Sequence, residues 1–110
     1  MSDLRIDDKD LVREKKGIIF SCKNKIKKTL EDGEHIYLLF FLRDKKPNNA
    51  LCIDQSGNIV WQIDESALLG KTIFANIYEK DGKLFVTTWS GFTCEINKKT
   101  GRVISKIFTK

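Results

Sequence analysis

Two stretches decide the fold of this chain: Cys52-Ile53-Asp54-Gln55-Ser56-Gly57-Asn58-Ile59-Val60-Trp61-Gln62-Ile63 and Glu95-Ile96-Asn97-Lys98-Lys99-Thr100-Gly101-Arg102-Val103-Ile104-Ser105-Lys106-Ile107. With one residue of gap, Ile53 falls on Ile96, Asp54 on Asn97, Gly57 on Gly101, Ile59 on Val103, Val60 on Ile104 and Ile63 on Ile107. In each, a short apolar run ends in Asp or Asn, a turn containing Gly follows, and a second apolar run returns. Asx side chains bond their own turn and Gly supplies the positive φ that tight turns need, so each stretch reads as a β-hairpin. Upstream, Asp32-Gly33 precedes an apolar strand just as Asp81-Gly82 does. Gly57 and Gly101 are 44 residues apart, and Gly33 and Gly82 are 49 apart. Four strands repeating every 40–50 residues or so is the pattern of a propeller blade.

Working outward, short strand-like runs fill most of the chain. Gly17 to Cys22, Lys25 to Leu30, His35 to Leu42, Ala50 to Asp54 and Ile59 to Ile63 read as strands. So do Ile73 to Tyr78, Leu84 to Trp89, Phe92 to Asn97 and Arg102 to Phe108. The run from His35 to Leu42 has too little polarity for a half-exposed strand and is expected to be buried on both faces. Lys45 to Asn49, with Pro47, reads as a loop. Glu65 to Gly70 is expected to form one helical turn, with Asp64 as its N-cap. The first dozen residues are strongly polar and read as a frayed or partly helical leader. The fold class is therefore all-β and antiparallel: two propeller-like four-stranded blades, an incomplete propeller, with an N-terminal leader. A single domain spans 1–110, divided into a leader at 1–12, a first blade with preceding strands at 13–64 and a second blade at 73–108.

The stretches 50–61 and 81–103 resemble the pyrroloquinoline-quinone-type propeller repeat. In that repeat an Asp-Gly turn leads to an inner hairpin, an apolar-apolar-Asp strand end, a Thr-Gly or Ser-Gly turn, and a strand ending in Trp. Here Asp81-Gly82, Cys52-Ile53-Asp54, Ser56-Gly57, Thr100-Gly101 and Trp61 match it, over roughly 32–63 and 73–107. The chain departs from the pattern where Ser105 stands in the second blade's Trp position and Lys46-Pro47-Asn48-Asn49 replaces the first blade's inner Gly turn. The resemblance implies a blade fold, with Trp61 in its core. It carries no quinone-binding residue over, because a quinone needs a full ring of blades.

At 110 residues, with 41% hydrophobic and 32% charged side chains, the chain has enough apolar content to fold as one small domain. A closed propeller or a TIM barrel needs far more chain. The net charge is +5, and its excess lies at the ends. Residues 1–30 carry nine cationic and five anionic side chains, and residues 95–110 carry five and one. Residues 47–94 carry three and five. The densest basic run is Lys23, Lys25, Lys27 and Lys28. Strand alternation would put the first three on one face, where they blunt a sheet edge or meet phosphate. The Lys-rich ends hold few aromatic residues for base stacking, only Phe20 and Phe108, which weakens a nucleic-acid reading.

Cys22, Cys52 and Cys94 show no CxxC spacing and have no neighbouring His, so they read as small core residues with no metal. The N-terminus lacks the apolar core of a signal peptide, and the longest apolar run, Ile36 to Leu42, is too short to span a membrane. A cytoplasmic location is expected. The one His, His35, opens an apolar strand and reads as structural. Asp54 and Asp64 could be imagined as a carboxylate pair, but Asp54 sits where an Asx turn is expected. No phosphate-binding Gly-rich motif occurs. The expected function is a non-catalytic protein-binding module without cofactor, most concretely a bacterial immunity protein that blocks a cognate toxin. Alternatives are a basic nucleic-acid-binding accessory protein and an oligomerising propeller fragment; self-association is compatible with either. Trp89 and Phe92, flanking the Ser90-Gly91 turn, are candidate aromatic anchors. Asp54, Asp64, Glu65 and Glu79 are candidate contacts to a cationic partner. Phe40, Phe41 and Phe85 read as core.

Overall fold

The computed structural model describes residues 3–41, 49–64 and 73–108, and no helix occurs among them. These residues form three antiparallel sheets. The first joins β1 (Leu4–Asp7), β2 (Asp10–Arg13) and β3 (Gly17–Ser21). The second runs in simple order through β4 (Ile26–Glu31), β5 (His35–Phe40), β6 (Ala50–Asp54) and β7 (Ile59–Gln62). The third repeats that order with β8 (Phe74–Lys80), β9 (Lys83–Thr88), β10 (Phe92–Ile96) and β11 (Val103–Phe108). The polar leader expected at 1–12 is thus corrected. Leu4–Asp7 and Asp10–Arg13 are strands, because their pairing with each other, that of Asp10–Arg13 with β3, and burial of Leu11 outweigh their polar composition. The helical turn expected at Glu65 to Gly70, most of the loop at Lys45 to Asn49, and Glu65 itself lie outside the described residues.

The second and third sheets repeat in register as well as in strand order. Tyr37, Cys52 and Trp61 stand opposite one another across β5, β6 and β7, as Phe85, Glu95 and Ser105 do across β9, β10 and β11. Register shifts recur at matching places. One lies between Cys52 and Ile53 and its counterpart between Glu95 and Ile96; another lies between Ile26 and Lys28 and its counterpart between Phe74 and Asn76. The first sheet carries the same shift between Leu11 and Val12, where Leu11 faces Phe20 as Cys52 faces Trp61. Bulges turn and twist a strand, so their recurrence gives the sheets a common shape that stacks.

Two cores hold the stack together, and β5 and β6 contribute to both. Side chains alternate between faces along a strand. Ile36, Leu38, Leu51 and Ile53 face the first sheet, packing with Leu11, Ile19 and Phe20. Tyr37, Leu39, Ala50 and Cys52 face the third sheet, packing with Trp61, Ile77, Leu84, Val86, Cys94 and Ile96. The middle sheet is therefore covered on both faces, as the unbroken apolar run of β5 requires. Asn49 is buried and pins the second and third sheets together. Its amide donates to the Phe40 and Phe74 carbonyls at 2.9 Å, and its Oδ1 accepts the Phe74 N–H at 2.8 Å.

Two glycines set how closely the sheets approach. A Cβ on Gly57 would overlap the carbonyl oxygen of Ile19 on β3, and a Cβ on Gly101 would lie 2.7 Å from the Trp61 ring. Both residues have positive φ, at 91° and 76°. Trp61 completes the second contact by donating from Nε1 to the Lys98 carbonyl at 2.7 Å.

Candidate functional site

The ends of the stack differ because every turn falls at one end or the other. The β4–β5 and β10–β11 turns share an end, where Lys98 Nζ lies 3.5 Å from Asp32 and 2.7 Å from Glu79 at the end of β8. At this end Asp32 also accepts the Tyr37 hydroxyl at 2.5 Å and the backbone N–H groups of Glu34 and His35. Burial opposes the Asp32 charge, but these donors and the Lys98 ammonium outweigh it and lower its pKa. Burial, with the Asp32 carboxylate next, raises the pKa of Tyr37. A hydrogen bond from Lys98 to Glu79, its largest influence, outweighs burial and raises the Lys98 pKa. The cluster fastens two sheets together.

The opposite end gathers the starts of β4 and β8. Lys27 Nζ donates to the Ala75 carbonyl at 3.0 Å, and Lys28 to Asn76 Oδ1 at 3.1 Å. The Phe41 N–H bonds the Lys25 carbonyl, and the Trp89 N–H bonds the Ile73 carbonyl. The β9–β10 turn and the end of β11 belong here too, since Phe92 pairs with Phe108. Trp89, at the tip of its turn, is 71% exposed; Phe108 is 59%, Phe41 49% and Ile73 43%. All the exposed large aromatics among the described residues lie at this end. The exposed Ile18, Ile59, Val60 and Ile104 lie instead on the last strands of the three sheets. Lysines cover two of the rings, with Lys27 Nζ 5.7 Å from the Phe41 centroid and Lys106 Nζ 5.0 Å from that of Phe92. Phe92 and Phe108 meet edge to face at 5.2 Å.

The expected anchors therefore separate. Trp89 is a free indole, while Phe92 is half-buried against the core and Phe108. Phe41, expected in the core, is exposed just beyond β5, whereas Phe40 and Phe85 are half-buried. The expected one-face alignment of Lys23, Lys25 and Lys27 does not form, because β4 starts at Ile26 and only Lys27 is on the strand. Sequence reading missed Ile73, Phe108, Lys27 and Lys106 as members of one surface. No motif joins them; they come from β4, the start of β8 and β11.

The candidate acidic contacts are spread apart and used within the fold. Asp54 closes its own turn, accepting N–H bonds from Ser56 and Asn58 at 2.9 Å. The Asn58 bonds foremost lower its pKa. Asp64 lies beyond the open end of the same β6–β7 hairpin, bridging to Arg102, so the two aspartates do not form a pair. Glu79 holds Lys98. His35 packs edge-on to Tyr37. All three cysteines are free. Burial foremost raises each thiol pKa, that of Cys22 to about 11 and that of Cys52 to about 12. They stay protonated and poorly nucleophilic near neutral pH. Among the described residues, no three His, Cys, Asp or Glu side chains gather where they could hold a metal ion, and no helix is long and apolar enough to cross a membrane.

A protein-family model described as "Domain of unknown function (DUF7957)" matches residues 1–108. No curated protein matches the chain.

Proposed function

Because the chain belongs to this DUF7957 family, whose description assigns no activity, we propose a function from its surface: a non-catalytic protein-binding module that presents the Trp89 end of its sheet stack. One observation carries this reading, the 71% exposure of Trp89 next to Ile73, at the end of the stack that also carries exposed Phe108. A bare indole among large apolar side chains is the composition of an interface hot spot. The matching registers of the sheets support a propeller-type stack in which the first sheet is a blade lacking one strand. A Lys-, Ile- and Asn-rich composition supports one concrete form, a bacterial immunity protein that binds and blocks a cognate toxin.

The outer face of the third sheet supports a stack that ends there, in preference to a ring continued by further copies. Where the middle sheet has Leu39, Ala50, Cys52 and Trp61, that face has Thr87, Thr93, Glu95 and Ser105. Terminal units of repeat proteins carry such polar outer faces.

The test is affinity purification of the tagged chain from its source cells beside its Trp89→Ala variant, with circular dichroism to show that both fold. A partner retained in stoichiometric amount by the parent and lost by the variant is expected. Equal retention by both, or retention of no protein, rejects the reading.

A further inference from the structure

We infer that the Trp89 end recognises an acidic segment of its partner protein, the reverse of the charge sense that the Asp and Glu content of residues 47–94 suggested. The inference rests on the protein-binding reading and names the chemistry of what binds. Its first support is what the acids do. Asp54, Asp64 and Glu79 are bonded within the fold, and Asp54 and Glu79 lie at the end of the stack away from Trp89. The aspartates of the β1–β2 hairpin, Asp7, Asp8 and Asp10, do lie at the Trp89 end beside the start of β4, but in the first sheet, with the middle sheet between them and the Trp89 turn.

Its second support is the lysines. Lys27 and Lys106 each hold an ammonium against an aromatic ring at the Trp89 end, and Lys27 also bonds Ala75, two residues from Ile73. Lys25 lies beside them, its carbonyl holding the Phe41 N–H. Among the described residues, one ion pair involves these lysines, Lys25 with Asp8 at 3.8 Å, both exposed. Ammonium groups at the same end as exposed apolar side chains are complementary to a segment that alternates carboxylates with apolar side chains.

The same geometry favours an acidic protein over single-stranded nucleic acid. Nucleic-acid platforms offer open ring faces on which successive bases stack. Here lysines cover Phe41 and Phe92, and Phe92 and Phe108 are locked edge to face, which leaves Trp89 as the open indole. Exposed Ile73 and Ile107 add aliphatic contact, which suits a peptide side chain better than a base.

The experiment titrates the full chain with a dye-labelled peptide that alternates Glu with Leu and Phe. Anisotropy is read at low and at physiological salt. A peptide with Gln in place of Glu and an oligothymidylate of equal length are run beside it. The acidic peptide is expected to bind at least about tenfold tighter than the Gln peptide at low salt, with the margin shrinking at physiological salt. Trp89→Ala is expected to abolish binding, and Lys27→Glu combined with Lys106→Glu to remove the preference for Glu over Gln. Equal binding of the Glu and Gln peptides, lost together in Trp89→Ala, overturns the acidic inference and leaves the protein-binding reading standing. Tighter binding of oligothymidylate than of the acidic peptide overturns it in favour of nucleic acid. Binding of the acidic peptide undiminished in Trp89→Ala overturns both readings.

Discussion

The inner face of the middle sheet and the outer face of the last sheet occupy the same place in a repeating unit, and they have opposite characters. The middle sheet presents Tyr37, Leu39, Ala50, Cys52, Trp61 and Ile63, all at most 7% exposed. In matching register the last sheet presents Phe85, Thr87, Thr93, Glu95, Ser105 and Ile107. Two apolar positions persist; of these Phe85 stacks on Tyr78 at 5.4 Å, and Ile107 is 61% exposed. The other four become hydroxyls or a carboxylate. One backbone pattern thus serves as a buried layer in the middle sheet and as an outer layer in the last, and the two differ in side-chain polarity at four positions. Ser105 in place of tryptophan is part of that change.

The largest expected effect breaks the buried face. Trp61→Ala removes a ring packed on Gly101 and a hydrogen bond to the Lys98 carbonyl, and is expected to cost about 3–5 kcal/mol. Ser105→Ala, at the matching exposed position, is expected to stay within about 0.5 kcal/mol. Chemical denaturation of both variants checks the contrast, and similar losses would show that the two faces are equivalent after all.

The next effect is smaller. Gly82 and Gly101 share a φ of 76°, but nothing lies near a Cβ on Gly82, whereas a Cβ on Gly101 meets Trp61. Gly82→Ala is expected to cost the backbone strain alone, about 1–2 kcal/mol. Gly101→Ala is expected to cost more, and the difference in melting temperature measures how closely the sheets approach. Equal melting temperatures would mean that the ring gives way freely.

The seam between the same two sheets depends on pH. Asp32 has a lowered pKa in the fold, so its contribution is present above the unfolded carboxylate pKa and is lost as pH falls through the folded value. Lys98 has a raised pKa, so its contribution is present below the unfolded lysine pKa and is lost as pH rises through the folded value. At neutral pH both act. Asp32→Asn is expected to cost about 1 kcal/mol there, with the gap to the parent closing in acid. Urea midpoints across the acid range check this, and a gap that stays constant would rule out the carboxylate as its source.

The smallest effect on stability accompanies a change in association. Thr87→Leu combined with Glu95→Val restores apolar character to the outer face and is expected to shift stability by no more than about 1 kcal/mol. Sedimentation velocity is expected to show self-association of this variant beyond that of the parent. Identical sedimentation would show that polarity at these positions does not end the stack.

The repeat was legible because its signals are local. Asp54, Asn97, Gly57 and Gly101 declare their turns through their own backbone chemistry, and the apolar runs between them have strand spacing. Of the first sheet only β3 was legible: Arg5, Ile6 and Asp7 are all exposed, and only pairing with β2 makes them a strand. Trp89 and Phe92 were legible as aromatic residues flanking a turn, but their different fates were not. Phe92 is drawn against Phe108, sixteen positions on, while Trp89 stays 71% exposed.

The sequence by itself determined the strands of two four-stranded units, their hairpins and the buried role of Trp61, because turn chemistry and side-chain period act over a few residues. Tertiary structure alone decided that a third sheet stands before them, that Phe41, Ile73, Trp89 and Phe108 share one end, and that lysines from β4 and β11 line it. Those facts depend on which strand ends meet when sheets stack, and that is set by contacts between residues distant in the chain.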